Sequence, residues 1–251
     1  VNHPIYEKTT EEYILEGNQY YQKYKFEKAI EAYEKAIEIK PDIDEAYYNM
    51  GIAYAMLNEF NKALWAYEKA IEIKLDKYEA YYTIGLVYAK LSKFERAIEA
   101  YEKAIKIKPD YYEAYYGIGV AYDSSNKFKE AIEAYEKAIE IKPDYYEAYY
   151  GIGVAYASSN KFKEAIEAYK KAIEIKPSHK AYYNMGTVYF RLGKYQKALE
   201  AYEKAIVLNS ELIIKLSKQQ NWYPLEQWIN NLTDNDKKQQ YLHTLKILKN
   251  E

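Results

Sequence analysis

Apolar positions along the chain recur in blocks with the 3.6-residue period of an α-helix, and the blocks come in two kinds. "KEAIEAYEKAIEIK" from Lys129 sets Ala131, Ile132, Tyr135, Ala138 and Ile139 on one stripe, while Glu and Lys cover the other side. Glu133 and Lys137 there have the i,i+4 spacing of a helical ion pair. "DEAYYNMGIAYAML" from Asp44 has an acidic start suited to a helix N-terminus. Short polar turns, "NEF", "SKF", "NKF" and "GKY", separate the two kinds. Pro41, Pro109, Pro143 and Pro177 end blocks of the second kind, because proline lacks the N–H and clashes with the preceding turn. Leu75 stands where one such proline is expected, which predicts a looser or longer-helical connection there. The pattern is all-α.

The blocks also repeat as pairs. Shifted by 34 residues, the chain falls into register with itself, and residues 110–143 and 144–177 are nearly one string. Extending the register gives units 10–43, 44–77, 78–111, 112–145, 146–178 and 179–210, the fifth shortened at "KPSHKAYY". Gly17, Gly51, Gly85, Gly119, Gly153 and Gly186 form one column. Tyr33, Tyr67, Tyr101, Tyr135, Tyr169 and Tyr202 form another on the second helices. Such columns read as large-against-small packing layers.

The 34-residue spacing, the aromatic–apolar–Gly–aromatic first helix, the Ala and Tyr-x-x-Ala of the second and the closing Pro resemble tetratricopeptide repeats. The resemblance covers residues 10–210. It implies a right-handed α-solenoid, a superhelix of tandem antiparallel helix pairs with a concave groove lined by the first helices. Residues 1–9 are then an N-terminal arm, and 211–251 a degenerate hairpin with a capping helix. In that tail, Ser210 is expected to cap a helix and Pro224 to sit in the first turn of the next. A last helix carries Tyr241, Leu242, Leu245 and Leu248 on one side. The tail either caps the last repeat or docks, with Trp222 and Trp228, in a groove.

"EAYYGIGVAY", present at 113–122 and 147–156, contains Gly-x-Gly but is no phosphate loop. A dinucleotide loop needs a preceding strand and a third glycine where Tyr122 and Tyr156 stand. Gly119 and Gly153 belong to the packing column; Gly117 and Gly151 have no such assignment. Either they are one tolerated change copied by duplication, or they deepen the groove floor.

If the first helices line the groove, Tyr48, Tyr82, Tyr116, Tyr150 and Tyr183 project into it, with Ile14 in the first unit. Asn18, Ile52, Leu86, Val120, Val154 and Thr187 follow four residues later. Asn49, Thr83, Gly117, Gly151 and Asn184 lie beside them, and Glu45, Glu79, Glu113 and Glu147 at the edge. A tyrosine rail beside an aliphatic strip with an acidic rim suits a peptide or amphipathic helix that is apolar with some basic residues. Some relatives clamp two carboxylates with Lys, Asn, Asn, Lys and Arg. Here Asn18 and Asn49 match, but Ile14, Glu79 and Thr83 replace the cations, which disfavours that ligand. An asparagine ladder is mostly missing, with only Asn49 and Asn184 in its column. Trp65, where other units have Glu, either marks a second contact surface or is an isolated exposed aromatic.

Net charge of −2 gives no basic excess for a phosphate backbone, so nucleic acid is not an expected partner. No apolar run is long enough to span a membrane. The first residues lack the features of a signal peptide, although Val1 in place of Met leaves open a removed leader or a longer parent protein. The absence of cysteine excludes disulfides and thiolate chemistry without identifying the compartment; a cytoplasmic one is expected. His3, His179 and His243 are scattered, and no catalytic, metal or cofactor site is expected. The leading reading is a non-enzymatic scaffold or adaptor. Its alternatives are a self-assembling solenoid, associating as a homo-oligomer through its tail or convex face, and a regulatory module of a larger enzyme.

Overall fold

The computed structural model describes residues 8–218 and 220–250. His3 and most of the expected N-terminal arm lie outside the described residues. The chain forms two compact units that meet in sequence at Ser125 and Asn126.

The first unit contains α1 (Thr10–Gln22), α2 (Phe26–Ile39), α3 (Asp44–Met56), α4 (Phe60–Ile73), α5 (Tyr78–Lys90), α6 (Phe94–Ile107) and α7 (Tyr112–Ser124). Within it α1 packs on α2, α3 on α4 and α5 on α6, and each second helix also packs on the next first helix. The second unit contains α8 (Phe128–Ile141), α9 (Tyr146–Ser158), α10 (Phe162–Ile175), α11 (His179–Arg191), α12 (Tyr195–Ser217), α13 (Tyr223–Asn230) and α14 (Asn235–Lys249). There α9 pairs with α10 and α11 with α12. The protein is all-α, and each unit stacks its helix hairpins in tandem.

Each hairpin turns through one left-handed residue: Tyr24, Asn58, Ser92, Asn126, Asn160 or Gly193. In the second hairpin Asn58 N–H reaches Ala55 O at 3.0 Å and Glu59 N–H reaches Tyr54 O at 2.9 Å. That pair of bonds closes the first helix as a Schellman turn, which explains the Asn, Ser and Gly at the head of most turns. Tyr24, at φ 57°, carries a side chain where the backbone favours glycine.

The connection at Leu75 is not longer-helical. Helix α4 ends at Ile73, the place where α2 ends at Ile39. Lys74 N–H bonds to Ala70 O at 2.9 Å just as Lys40 N–H bonds to Ala36 O at 3.0 Å. Proline is therefore not required to end α4 at this place.

The core is built from the two columns. The rings of Tyr33, Tyr67, Tyr101, Tyr169 and Tyr202 each lie against the column glycine of their own hairpin: a Cβ on Gly153 would stand 2.5 Å from Tyr169 Cε1. Tyr33, Tyr67, Tyr101, Tyr135, Tyr169 and Tyr202 are all at most 2% exposed.

In the tail, α12 bends at Asn209 (φ −164°, ψ 84°). Asn209 Oδ1 accepts from Leu212 N–H at 3.1 Å, so the cap lies one residue before the Ser210 expected from the sequence. Pro224 does sit in the first turn of α13. Trp222, Leu225, Ile229, Tyr241, Leu245 and Leu248 are buried in one cluster with Tyr189 and Tyr202. Ser217 Oγ, fully buried, donates to Leu248 O at 2.6 Å and ties α14 to the end of α12.

Candidate functional site

On the first-helix face of each unit, the tyrosine rail rests on the core tyrosines. Ring centroids lie 5.7 Å apart for Tyr48 and Tyr67, 5.6 Å for Tyr82 and Tyr101, 6.0 Å for Tyr150 and Tyr169, and 5.4 Å for Tyr183 and Tyr202. All four pairs are tilted, the arrangement that aromatic quadrupoles favour. The rail is therefore half-buried and held from beneath. Burial pushes the Tyr48 hydroxyl up to about 12, with Glu79 adding to the shift. Burial likewise raises Tyr82 and Tyr183. These hydroxyls stay protonated at neutral pH and can both donate and accept hydrogen bonds.

The aliphatic strip flanks the rail: Leu86 and Val120 are exposed, and Ile52 and Val154 half-buried. Tyr116 is half-buried on α7. Ile14 departs from the expectation. It is 6% exposed, packed in the core of the first two hairpins, and offers nothing to a groove.

Polar groups on this face are largely engaged with one another. Asn18 Oδ1 accepts from Tyr33 Oη at 2.7 Å and from Asn49 Nδ2 at 3.2 Å. Thr83 Oγ1 donates to backbone oxygens of its own helix at Glu79 and Ala80. Asn184 Nδ2 donates to Tyr150 Oη at 2.9 Å. Thr187 Oγ1 accepts from Tyr202 Oη at 3.3 Å and donates to Tyr183 O at 3.1 Å. Val154, Asn184 and Thr187 come together with Tyr169 and Arg191 around a cleft of about 200 Å³.

Gly117 and Gly151 are both buried, and each has a packing partner that the sequence did not reveal. A Cβ on Gly117 would stand 2.7 Å from Tyr101 Cζ, and one on Gly151 2.6 Å from Tyr135 Cζ. The partner belongs to the preceding second helix, outside the glycine's own hairpin. Tyr101 is thus clasped between Gly85 on one edge and Gly117 on the other.

The sequence reading also missed the turn residues. Tyr111 meets Tyr78 at 5.0 Å and Tyr82 at 5.1 Å, both edge-on, and extends the rail sideways. Lys108 Nζ lies 4.7 Å over the Tyr78 ring and 5.3 Å from that of Tyr111. Lys77 Nζ lies 4.7 Å over Tyr48 and donates to Asp44 Oδ2 at 2.7 Å. Burial opposes ionisation of Asp44, but the bond to Lys77 together with the charges of Lys77 and Lys74 holds the carboxyl below its ordinary value. The edge of this face carries both signs of charge, where the sequence predicted an acidic rim. The lysine that recurs just after each second helix, at Lys40, Lys74, Lys108, Lys142 and Lys176, was the available signal for Lys108.

Trp65 is 48% exposed, and its ring meets Tyr47 edge-on at 6.0 Å. No helix of the described residues is long and apolar enough to cross a membrane.

Family models match most of the chain. One described as a TPR repeat matches residues 17–58, and others described as a tetratricopeptide repeat match 44–77, 82–146, 146–179 and 179–212. Among solved structures, that of MamA protein is 35% identical, with a TM-score of 0.61, over 66% of this chain and 91% of its own. YrrB, described as a TPR protein with an unusual peptide-binding site, is 29% identical, with a TM-score of 0.58 over 72% of this chain and 93% of its own. PilW, a widely conserved type IV pilus biogenesis factor, is 18% identical, with a TM-score of 0.70 over 81% and 94% respectively, a likeness of fold alone. No curated protein sequence matches the chain.

Proposed function

The chain belongs to the tetratricopeptide repeat family, and on that premise we propose that its first-helix face holds a peptide or amphipathic helix of a partner protein. The observation that carries this reading is the rail. Tyr48, Tyr82, Tyr150 and Tyr183 present large rings, each held by a buried tyrosine, so little side-chain freedom remains to be lost on binding. Exposed Leu86 and Val120 beside them offer apolar contact. The peptide-binding site described for YrrB, a relative of similar architecture, points the same way. The partner segment is apolar with some basic residues, these lying near Glu79 and Glu113. The protein acts as a non-enzymatic scaffold or adaptor.

The alternative, self-assembly through the tail, cannot use Trp222, Leu225, Ile229, Leu245 and Leu248, each at most 6% exposed on their own chain; Leu216 and Tyr223 are the large apolar side chains that the tail leaves exposed. The test is partner capture from source-cell lysate by the wild type and by Tyr116→Glu/Tyr150→Glu, with helicity checked by circular dichroism. A prey lost by the double variant at unchanged helicity is the expected result. Identical prey from both proteins removes the groove from the function.

A further inference from the structure

The cleft of about 200 Å³ on the first-helix face of the second unit is lined by Val154, Ala157, Ser158, Asn184 and Thr187, with Arg191 as the one charged residue among the described ones. The Arg191 guanidinium lies 4.6 Å from the Phe162 ring centroid, and Nη2 donates to Asn160 Oδ1 at 3.0 Å. Both partners are neutral, so they orient the cation without cancelling its charge. Arg191 has no ion-pair partner among the described residues. Of the five N–H donors of an arginine fork, Asn160 takes one. The backbone oxygens at these helix ends are closed by the turns: Ala157 O accepts from Asn160 N–H at 3.2 Å, and Phe190 O from Gly193 N–H at 2.9 Å.

The sixth hairpin moves toward positive charge in two places. The edge position held by Glu45, Glu79, Glu113 and Glu147 becomes Lys180, and Arg191 ends its first helix where the fourth and fifth have Ser124 and Ser158. One repeat earlier in the register, the places of Ala157, Asn184 and Arg191 hold Asp123, Gly151 and Ser158, a carboxylate with neither amide nor cation. In the third hairpin Lys90 matches Arg191, but Met56 and Leu86 take the places of Ser158 and Thr187. A cation beside uncharged donors is therefore particular to the last pair of hairpins.

From this oriented, unpaired cation and a lining without a carboxylate, we propose that the cleft is a subsite for a glutamate side chain of the partner segment, which rests on the reading of the first-helix face as a peptide-binding surface. The carboxylate meets the remaining donors of the Arg191 fork, a charge-assisted bond stronger than a neutral one. Ser158 adds a hydroxyl, and Asn184, which spends one of its two N–H donors on Tyr150 Oη, adds the other. Half-buried Val154 and Ala157 take the glutamate methylenes. Thr187 contributes no bond, because its hydroxyl is engaged with Tyr183 O and Tyr202 Oη. Arg191 stands in none of the columns of the two-carboxylate clamp, so this is a different way of holding an acidic group.

The test is a titration of the full chain with acetyl-Leu-Glu-Leu-amide and with acetyl-Leu-Gln-Leu-amide, read by nuclear magnetic resonance. Labelled methyl signals of Val154 and Thr187 report the subsite, and ring signals of Tyr150 and Tyr183 report the rail. The glutamate probe is expected to shift the methyl signals at about five-fold lower concentration than the glutamine probe, the upper range for one exposed ion pair. Arg191→Gln, with helicity checked by circular dichroism, should abolish that preference, and Arg191→Lys should keep part of it. Ala157→Asp should abolish it too, by giving Arg191 a carboxylate from its own chain at a position where the fourth hairpin already carries Asp123. Equal responses to the two probes, or a preference undiminished by Arg191→Gln, would overturn the subsite. If the rail signals still move in that case, the peptide-binding reading stands without it; if neither probe moves them, both fall.

Discussion

Tyr33 and Tyr101 occupy the same place in their repeats and are both 1% exposed, yet the far ends of their rings meet different surroundings. Tyr33 Oη donates to Asn18 Oδ1 at 2.7 Å, and Asn49 Nδ2 shares that oxygen at 3.2 Å. Tyr101 instead meets Gly117, whose missing Cβ leaves room for the ring, and has Gly85 along its other edge. One column, occupied by Asn49, Thr83, Gly117, Gly151 and Asn184, therefore supplies a polar partner at Asn49 and Asn184 and a gap at Gly117 and Gly151. The buried ring is constant, and the neighbouring first helix decides whether its end is bonded or packed.

Removing the ring tests what the two places share. Tyr33→Ala and Tyr101→Ala should each destabilise by about 3–5 kcal/mol, the range for losing a buried aromatic, measured by urea unfolding. A much smaller loss at either would show that its surroundings collapse to fill the space, and the equivalence would fail.

Alkaline titration comes next. Burial pushes the Tyr33 hydroxyl up to about 12 from an ordinary value near 10, and raises Tyr101 further. Below pH 10 both folded and unfolded chains keep the proton, and stability is unaffected. Between 10 and 12 only the unfolded chain releases it, so stability falls as pH rises, by about 1.4 kcal/mol per pH unit for each such tyrosine. Thermal melts from pH 9 to 11 should show the fall, and Tyr33→Phe should reduce its slope. A flat profile would mean that these hydroxyls ionise in the folded protein.

Gly117→Ala sharpens the contrast. Helix propensity alone would make it stabilising by about 1 kcal/mol. The added methyl would stand 2.7 Å from Tyr101 Cζ, and overpacking of that kind costs about 1–3 kcal/mol, so a net loss near 1 kcal/mol is expected. A gain in melting temperature would show that the clasp around Tyr101 is slack. The smallest effect separates the hydroxyls. Tyr33→Phe removes the shorter of the two bonds to Asn18 Oδ1 and should cost about 1 kcal/mol, whereas Tyr101→Phe should cost under about 0.5 kcal/mol. Equal costs would erase the distinction between a bonded and a packed ring end.

Much of this architecture is legible along the chain. The 34-residue register, the two helix types, the column of glycines opposite tyrosines and the rail at Tyr48, Tyr82, Tyr150 and Tyr183 all follow from periodicity, because contacts inside one hairpin recur at fixed sequence spacing. Contacts between hairpins are harder to read. The partners of Gly117 and Gly151 lie on the preceding second helix, and Tyr111 reaches Tyr78 and Tyr82 from a turn with no helical period to announce it. Ile14 illustrates the same limit: its column position suggests a groove residue, but its side chain lies in the core of the first two hairpins.

Local pattern set the helices, their turns and the rings that fill each hairpin, since those depend on the period of apolar side chains and on backbone preferences at Asn, Ser and Gly. The tertiary structure alone showed that α4 ends at Ile73 without a proline, that α12 bends at Asn209, and that Trp222, Leu225, Ile229, Leu245 and Leu248 of the tail pack on its own chain. It also showed that Lys77 and Lys108 fold onto tyrosines at the edge of the rail. These features depend on how one hairpin is set against the next, and that geometry comes from side chains meeting across the interface rather than from spacing along either strand of the hairpin.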